Sequence, residues 1–221
     1  MKTLPWSILC AGVLLLAGCR VVQPKTQTPY GHYYLESQAR FSAVDRVALL
    51  ELENESTQVK LSEQLTQMMA DGLEKKHLFS IRTINHTDPL WSRLNLDEVA
   101  AFSQENLKSV GQELNVDAVI FGTIKRYRSY PHLLMTLHLQ MVDVRRGRLL
   151  WAMENVWDST DRQVELRMQE YYEKEIRQGY QPLDWKIMVT SPRAFNKFVV
   201  YEVGQTLPHL MPADHPFAMP N

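Results

Sequence analysis

The chain's two thiols, Cys10 and Cys19, are its most reactive side chains. A thiol can form a disulfide, hold a metal, act as a nucleophile or accept an acyl group. No Cys-x-x-Cys, Gly-x-Ser-x-Gly, phosphate-binding glycine loop or His-Glu-x-x-His occurs. The histidines are scattered. His132 and His138 share one face of a predicted strand, but six residues of strand set them about 20 Å apart, beyond joint ligation. His209 and His215 flank Asp214 near the C-terminus, a pattern for adventitious metal binding. These patterns predict no catalytic set, no metal site and no cofactor. The remaining candidates for chemistry are Cys19 and surfaces that bind other molecules.

Two basic clusters and one helix supply those surfaces. Lys125, Arg126 and Arg128 are expected at one end of the sheet, and Arg145, Arg146 and Arg148 at a hairpin tip at the other. Over 161–179, Val164, Met168, Tyr171, Tyr172 and Ile176 form an apolar and aromatic stripe with charged residues around it. The stripe either faces the sheet or meets a partner, since tyrosine and arginine favour interfaces. Candidate partner-binding residues are therefore Met168, Tyr171, Tyr172, Arg145 and Arg146.

The N-terminus gives Cys19 its meaning. Lys2 precedes an apolar run, Leu4 to Ala17, that ends in Ala17-Gly18-Cys19. A positive n-region, a short apolar core and small residues at a cleavage point make a secretory signal. The run is shorter than the roughly 20 residues that span a bilayer. Leu16-Ala17-Gly18-Cys19 resembles the lipobox of bacterial lipoproteins. The resemblance implies cleavage before Cys19, acylation of that residue, and several acyl chains holding the mature protein to a membrane. Cleavage also discards Cys10, so no disulfide is expected. Arg20 follows the cysteine, where in Gram-negative lipoproteins an aspartate would retain the protein in the inner membrane. Outer-membrane anchoring is therefore implied.

Composition bounds the remainder. Of 221 residues, 45% are hydrophobic and 22% charged, which describes a globular chain. Loss of residues 1–18 removes only Lys2 from the charged set, so the formal net charge moves from −1 to about −2. That balance argues against a general nucleic-acid binder. Residues 19–42, with Pro24, Pro29 and Gly31, read as a tether. Residues 43–207 read as one domain, and 208–221, with prolines at 208, 212, 216 and 220, as a disordered tail.

Within the domain, 44–54 reads as a buried strand. Leu61, Leu65, Met68, Met69 and Leu73 mark a helix over 59–76. A short strand over 77–84 comes next, then a loop over 85–95 and a helix over 96–114 broken near Ser103. Residues 116–127 form the clearest strand. Residues 132–144 alternate strictly, with Leu133, Met135, Leu137, Leu139 and Met141 on one face. A hairpin turn at 143–147 returns a strand over 148–157. Ser191-Pro192 signals an N-cap with proline at the first helical position. Two βα units followed by an antiparallel meander predict an α+β domain with a mixed sheet and flanking helices.

The segment VALLELEN at 47–54, then GQELNVDAVIFGT at 111–123 and VDVRRGRLLW at 142–151, is similar to the periplasmic domains of CsgG and LpoB lipoproteins. The similarity covers about residues 44–157. It implies a domain that works by contact with envelope proteins, including copies of itself. Asp117, Gly122, Gly147 and Trp151 carry the similarity and have architectural uses: a turn into a strand, close packing, positive φ and core volume. CsgG forms a secretion pore through long β-hairpins. The one long alternating strand here is already used by the sheet, so a pore is disfavoured. The expectation is an outer-membrane lipoprotein that acts as a protein-binding accessory or assembly factor. A ligand-binding or enzymatic cleft in the same sheet and a pore subunit are the alternatives.

Overall fold

The computed structural model describes residues 31–176 and 184–208. Its seven strands are β1 (His32–Leu35), β2 (Arg46–Leu50), β3 (Glu53–Asn54), β4 (Ser80–Ile84), β5 (Ala118–Arg128), β6 (Leu134–Asp143) and β7 (Arg148–Asp158). They form one mixed sheet in the order β1-β7-β6-β5-β2-β4, with β3 also pairing with β5. β2 is parallel to β4 and β5, while β5, β6, β7 and β1 run antiparallel in succession. This is the α+β class with a mixed sheet that the sequence predicts.

The apolar run of β2 results from burial on both faces. Val47 and Leu49 join one core, and Ala48 and Leu50 the other. The larger core lies under α2 (Leu61–Glu74), α5 (Arg162–Tyr171), α6 (Ile187–Thr190) and α7 (Pro192–Gln205). It takes the whole alternating set, Leu133 just before β6 and Met135, Leu137, Leu139 and Met141 within it. The smaller core lies under α3 (Pro89–Arg93), a 3-10 turn over Leu96–Ala101 and α4 (Gln104–Leu114).

Local signals explain the boundaries. Ser103 breaks the helix expected over 96–114 because its side chain accepts from the Asn106 N–H at 3.2 Å and starts α4 afresh. The expected loop around Trp91 is in fact α3. Asp88 accepts from the Leu90 N–H at 2.8 Å, Pro89 sits in the first turn, and Trp91 is buried in the smaller core. Residues 32–41, read from sequence within the tether, make β1 on the edge of β7 and the short α1 (Gln38–Phe41). Phe41 reaches the larger core. The helix expected to run to Gly179 turns into a π-helical segment at Tyr172–Ile176, and residues 177–183 lie outside the described residues.

The glycines and the tryptophan singled out in the sequence have structural causes. A Cβ at Gly122 would lie 2.1 Å from the His138 carbonyl oxygen on β6. Gly147 holds φ at +62° in the β6–β7 turn, where glycine carries no steric cost. Trp151 is fully buried and donates its indole N–H to Thr206 Oγ1 at 3.0 Å, at the end of α7.

Candidate partner-binding surfaces

Cys19 and the tail residues His209, Asp214 and His215 lie outside the described residues. The other sequence candidates fall at two places, the helix α5 and the β6–β7 hairpin.

On α5 most of the stripe faces inward. Val164, Met168 and Tyr172 belong to the larger core, and Met168 is fully buried. Tyr171 is half-buried, with its ring 4.7 Å from Tyr201 and 5.8 Å from Phe198 of α7. Burial, with a smaller contribution from the Glu175 carboxylate, pushes the Tyr171 phenol up to about 12. The stripe is thus closed by the larger core, with α7 against Tyr171. What α5 offers outward is its charged perimeter and Leu166, 41% exposed.

One contact on α5 gave no sequence signal. Arg167 donates to both carboxylate oxygens of Glu202 on α7, at 2.6 and 3.2 Å. The Trp157 indole N–H on β7 donates to the same carboxylate at 2.6 Å. Three elements thereby meet at one carboxylate that is 12% exposed. The residues stand 35 and 45 positions apart, beyond any local periodicity.

At the hairpin Arg145 and Arg146 sit together at the surface. Asp143 Oδ1 accepts from the backbone N–H of Arg145 at 2.7 Å and of Arg146 at 3.2 Å. This Asx turn fixes the tip. Arg145 Nη2 donates to Asp117 Oδ1 at 2.8 Å. Asp117 Oδ2 in turn accepts from the N–H groups of Asp45 and Arg46, at 3.3 and 3.1 Å. Asp117 therefore ties the start of β2 to the hairpin. A cavity of about 270 Å³ opens here, lined by Glu36, Arg40, Asp117, Asp143 and the three hairpin arginines. Glu36 holds Arg40 at 2.9 Å. No ion pair engages Arg146 or Arg148 among the described residues. Glu36 and Arg40 join the site from the segment after β1, more than 100 positions away in sequence, so spacing could not reveal them.

Glu36 is held below the usual carboxylate range, first by the Ser37 N–H and also by Arg40. Burial pushes Glu51 and Asp158 up, but hydrogen bonds outweigh it and both lie low: Glu51 through His86, Asp158 through Thr160. All three carboxylates are settled as anions. Among the described residues no three of His, Cys, Asp and Glu come together as a metal site. His138 contacts Gln140 at 3.2 Å, while His132 lies two residues before β6. No helix among the described residues is long and apolar enough to cross a membrane.

No protein-family model matches the chain, and no curated protein matches its sequence. Solved structures give partial likenesses. The PelC dodecamer from Paraburkholderia phytofirmans is 14% identical over 58% of this chain and 82% of that one, with a TM-score of 0.43. The lipoprotein GNA1162 from Neisseria meningitidis is 17% identical over 55% and 89%, also with a TM-score of 0.43. The LpoB C-terminal domain from Salmonella enterica is 11% identical over 51% and 82%, with a TM-score of 0.36. Likeness at this level says nothing of activity or partners.

Proposed function

We propose that the chain is an envelope lipoprotein whose domain binds other proteins. The observation that carries this reading is the string Leu16-Ala17-Gly18-Cys19, placed at the end of a charged and apolar leader. Cleavage before Cys19 and its acylation would leave residues 19–30 as the connection to the membrane, with β1 and α1 belonging to the working domain that runs to residue 207. Residues 208–221 would form a proline-containing tail. Arg20 favours delivery to the outer membrane, with the domain in the periplasm. A binding role is supported by a surface hairpin that carries adjacent arginines.

The partner surface is the hairpin with Arg145, Arg146 and Arg148. Its arginines suit carboxylates of an acidic protein segment, because guanidinium binds carboxylate through two parallel hydrogen bonds. Tyr171 and the outer side of α5 form a second face for a partner or another copy of the chain. Met168 and Tyr172 contribute only indirectly, by fixing α5 on the larger core.

Mass spectrometry of the mature N-terminus, with crosslinking from position 148 at the same hairpin, tests the reading. The expected result is acylated Cys19 and a crosslinked envelope protein that Arg146→Glu loses. An unmodified Cys19 in protein free of membranes would overturn it.

A further inference from the structure

The two ends of the sheet differ in apolar exposure. Among the large hydrophobic residues, Val59 is 91% and Tyr130 84% exposed, while Val156 comes next at 50%. Val59 and Tyr130 stand far apart in sequence but at the same end of the sheet. Tyr130 lies in the turn between β5 and β6, beyond the Arg128–Leu134 pair. Val59 lies in the loop that leaves β3, whose Asn54 pairs with Ile124 of β5, and enters α2.

Cations share this end. Lys125 pairs with Glu55 at 2.6 Å, and Arg128 with Asp158 at 3.7 Å. No ion pair engages Lys60, Arg126 or Arg193 among the described residues. Lys60 and Arg193 line one groove of about 1050 Å³ between the starts of α2 and α7, where Glu63 and Asp71 also lie. The two helices run side by side in the same direction. A Cβ at Gly72 would meet Val200 at 2.3 Å, and one at Gly204 would meet Lys76 at 3.1 Å. Both helix N-termini therefore add partial positive charge to this end.

The described chain begins here as well. β1 runs antiparallel to β7 with His32 opposite Glu154, and a Cβ on Gly31 would touch Asn155 at 2.9 Å. From Leu35 back to Gly31 the strand points along β7 towards Asp158, which lies three residues beyond Asn155, or about 10 Å. Asp158 pairs with Leu134 beside the Tyr130 turn. The hairpin lies the other way, with Arg148 seven residues of strand from Asn155, about 24 Å. Residues 20–30 separate Cys19 from Gly31 and span at most about 40 Å. Presenting the hairpin end to an anchoring membrane would consume most of that length in doubling back. Presenting the Val59–Tyr130 end needs no reversal.

We infer that this end is a membrane-contact surface: Tyr130 and Val59 enter the headgroup layer, and Lys60, Arg126 and Arg193 meet lipid phosphates. An amphipathic tyrosine and basic residues suit that layer. The inference rests on acylation at Cys19 and deepens it, because it leaves the hairpin pointing away from the bilayer, towards partners.

The test uses the full acylated chain in vesicles, one set zwitterionic and one containing phosphatidylglycerol. Acylation blocks Cys19 and cleavage removes Cys10, so Tyr130→Cys, Val59→Cys and Leu149→Cys each carry one free thiol for an environment-sensitive dye. Dye at 130 and 59 is expected to shift to the blue and lose most of its quenching by aqueous iodide, while dye at 149 stays fully quenched. Protection in both vesicle sets supports insertion of the apolar residues. Protection only with phosphatidylglycerol, lost in Lys60→Gln/Arg126→Gln/Arg193→Gln, supports capture by charge. Equal quenching at all three positions, with Cys19 acylated by mass, overturns the membrane face and leaves the anchor intact. Unacylated Cys19 overturns both.

Discussion

The contact of Arg167, Glu202 and Trp157 permits a quantitative test of what fixes α5 in place. The Arg167 and Glu202 side chains are 17% and 12% exposed, so water screens them little. Replacement of Glu202 by alanine removes both guanidinium bonds and the acceptor of the Trp157 indole N–H. Breaking a buried ion pair costs about 3–5 kcal/mol. The residual exposure places this one near the lower limit, about 3 kcal/mol, and the stranded indole N–H adds about 1 kcal/mol. Glu202→Gln keeps an acceptor for Trp157 and loses the charge, so about 1.5–2 kcal/mol is expected. Arg167→Met with Glu202→Met removes both charges and keeps volume. It should recover most of the loss, because apolar substitutes for buried ion pairs are often neutral.

Urea unfolding followed by circular dichroism measures these differences, with the slope held constant as a check on two-state behaviour. In a domain of this size 1 kcal/mol moves the midpoint by about 2–4 °C, so Glu202→Ala should melt about 10 °C lower. Less than 1 kcal/mol for Glu202→Ala would refute the reasoning. It would mean that the carboxylate is no fixed junction and that α5 rests on Val164 and Met168 alone. A double variant as unstable as the sum of its single variants would refute the coupling, since neighbours in one network should not add.

The geometry sets three further outcomes. Gly122→Ala should destabilise the domain by at least about 3 kcal/mol, because its Cβ meets the backbone of β6 and a flexible side chain cannot relieve the clash; a thermal midpoint near the wild-type value would contradict the close approach. Asp117→Ala should cost about 2 kcal/mol by orphaning the Asp45 and Arg46 N–H groups, whereas Arg145→Ala, at a side chain 76% exposed, should cost well under 1 kcal/mol; equal losses in parallel denaturant titrations would show that the salt bridge, not the backbone contacts, matters. Glu51 is held below the ordinary carboxylate value of about 4.3, so its contribution is present above that pH and lost as pH falls through the lowered value. Glu51→Gln should therefore be less stable than wild type by about 1 kcal/mol at pH 7, with the gap closing below about pH 4. A gap that stays constant with pH would rule out the charged form as its source.

Core and strands were legible because their signal is local. The alternation of Leu133 to Met141 places five residues in one core, and Ser103 and Ser191 mark helix starts through side chains that cap their own backbone. Strand β1 was not legible. An edge strand of four residues, His32–Leu35, carries little alternation of its own, and its pairing is set by a strand more than 110 positions later. α3 was missed because a five-residue helix is too short for periodicity, although Asp88-Pro89 held its capping signal. Of the candidate site, the paired arginines were visible as a string. Asp117, which holds Arg145, and Glu36, which lines the same cavity, come from other elements and became neighbours only through the sheet.

The stripe on α5 shows why periodicity alone leaves function open. Val164, Met168 and Tyr172 recur at intervals of four, which states that one side of the helix avoids water. It does not state what excludes the water. The same stripe could rest on the chain's own sheet or on another protein, and composition does not separate the two, since tyrosine suits both. The decision lies in a different part of the chain, where α7 brings Phe198 and Tyr201 against Tyr171 and Glu202 against Arg167. A helix whose apolar side is closed by its own domain has only its outer side left for recognition. Partner contacts on α5 must then be made by residues that give no periodic signal, such as Leu166 and its charged neighbours. For this reason Leu166→Glu, and not Met168→Ala, is the substitution that separates a contact role from a folding role. The first should leave the thermal midpoint unchanged and reduce crosslinking to a partner seated on α5. The second should cost about 2–5 kcal/mol of lost packing whether or not a partner is present, and a stable Met168→Ala domain would mean that α5 is not closed by its own core.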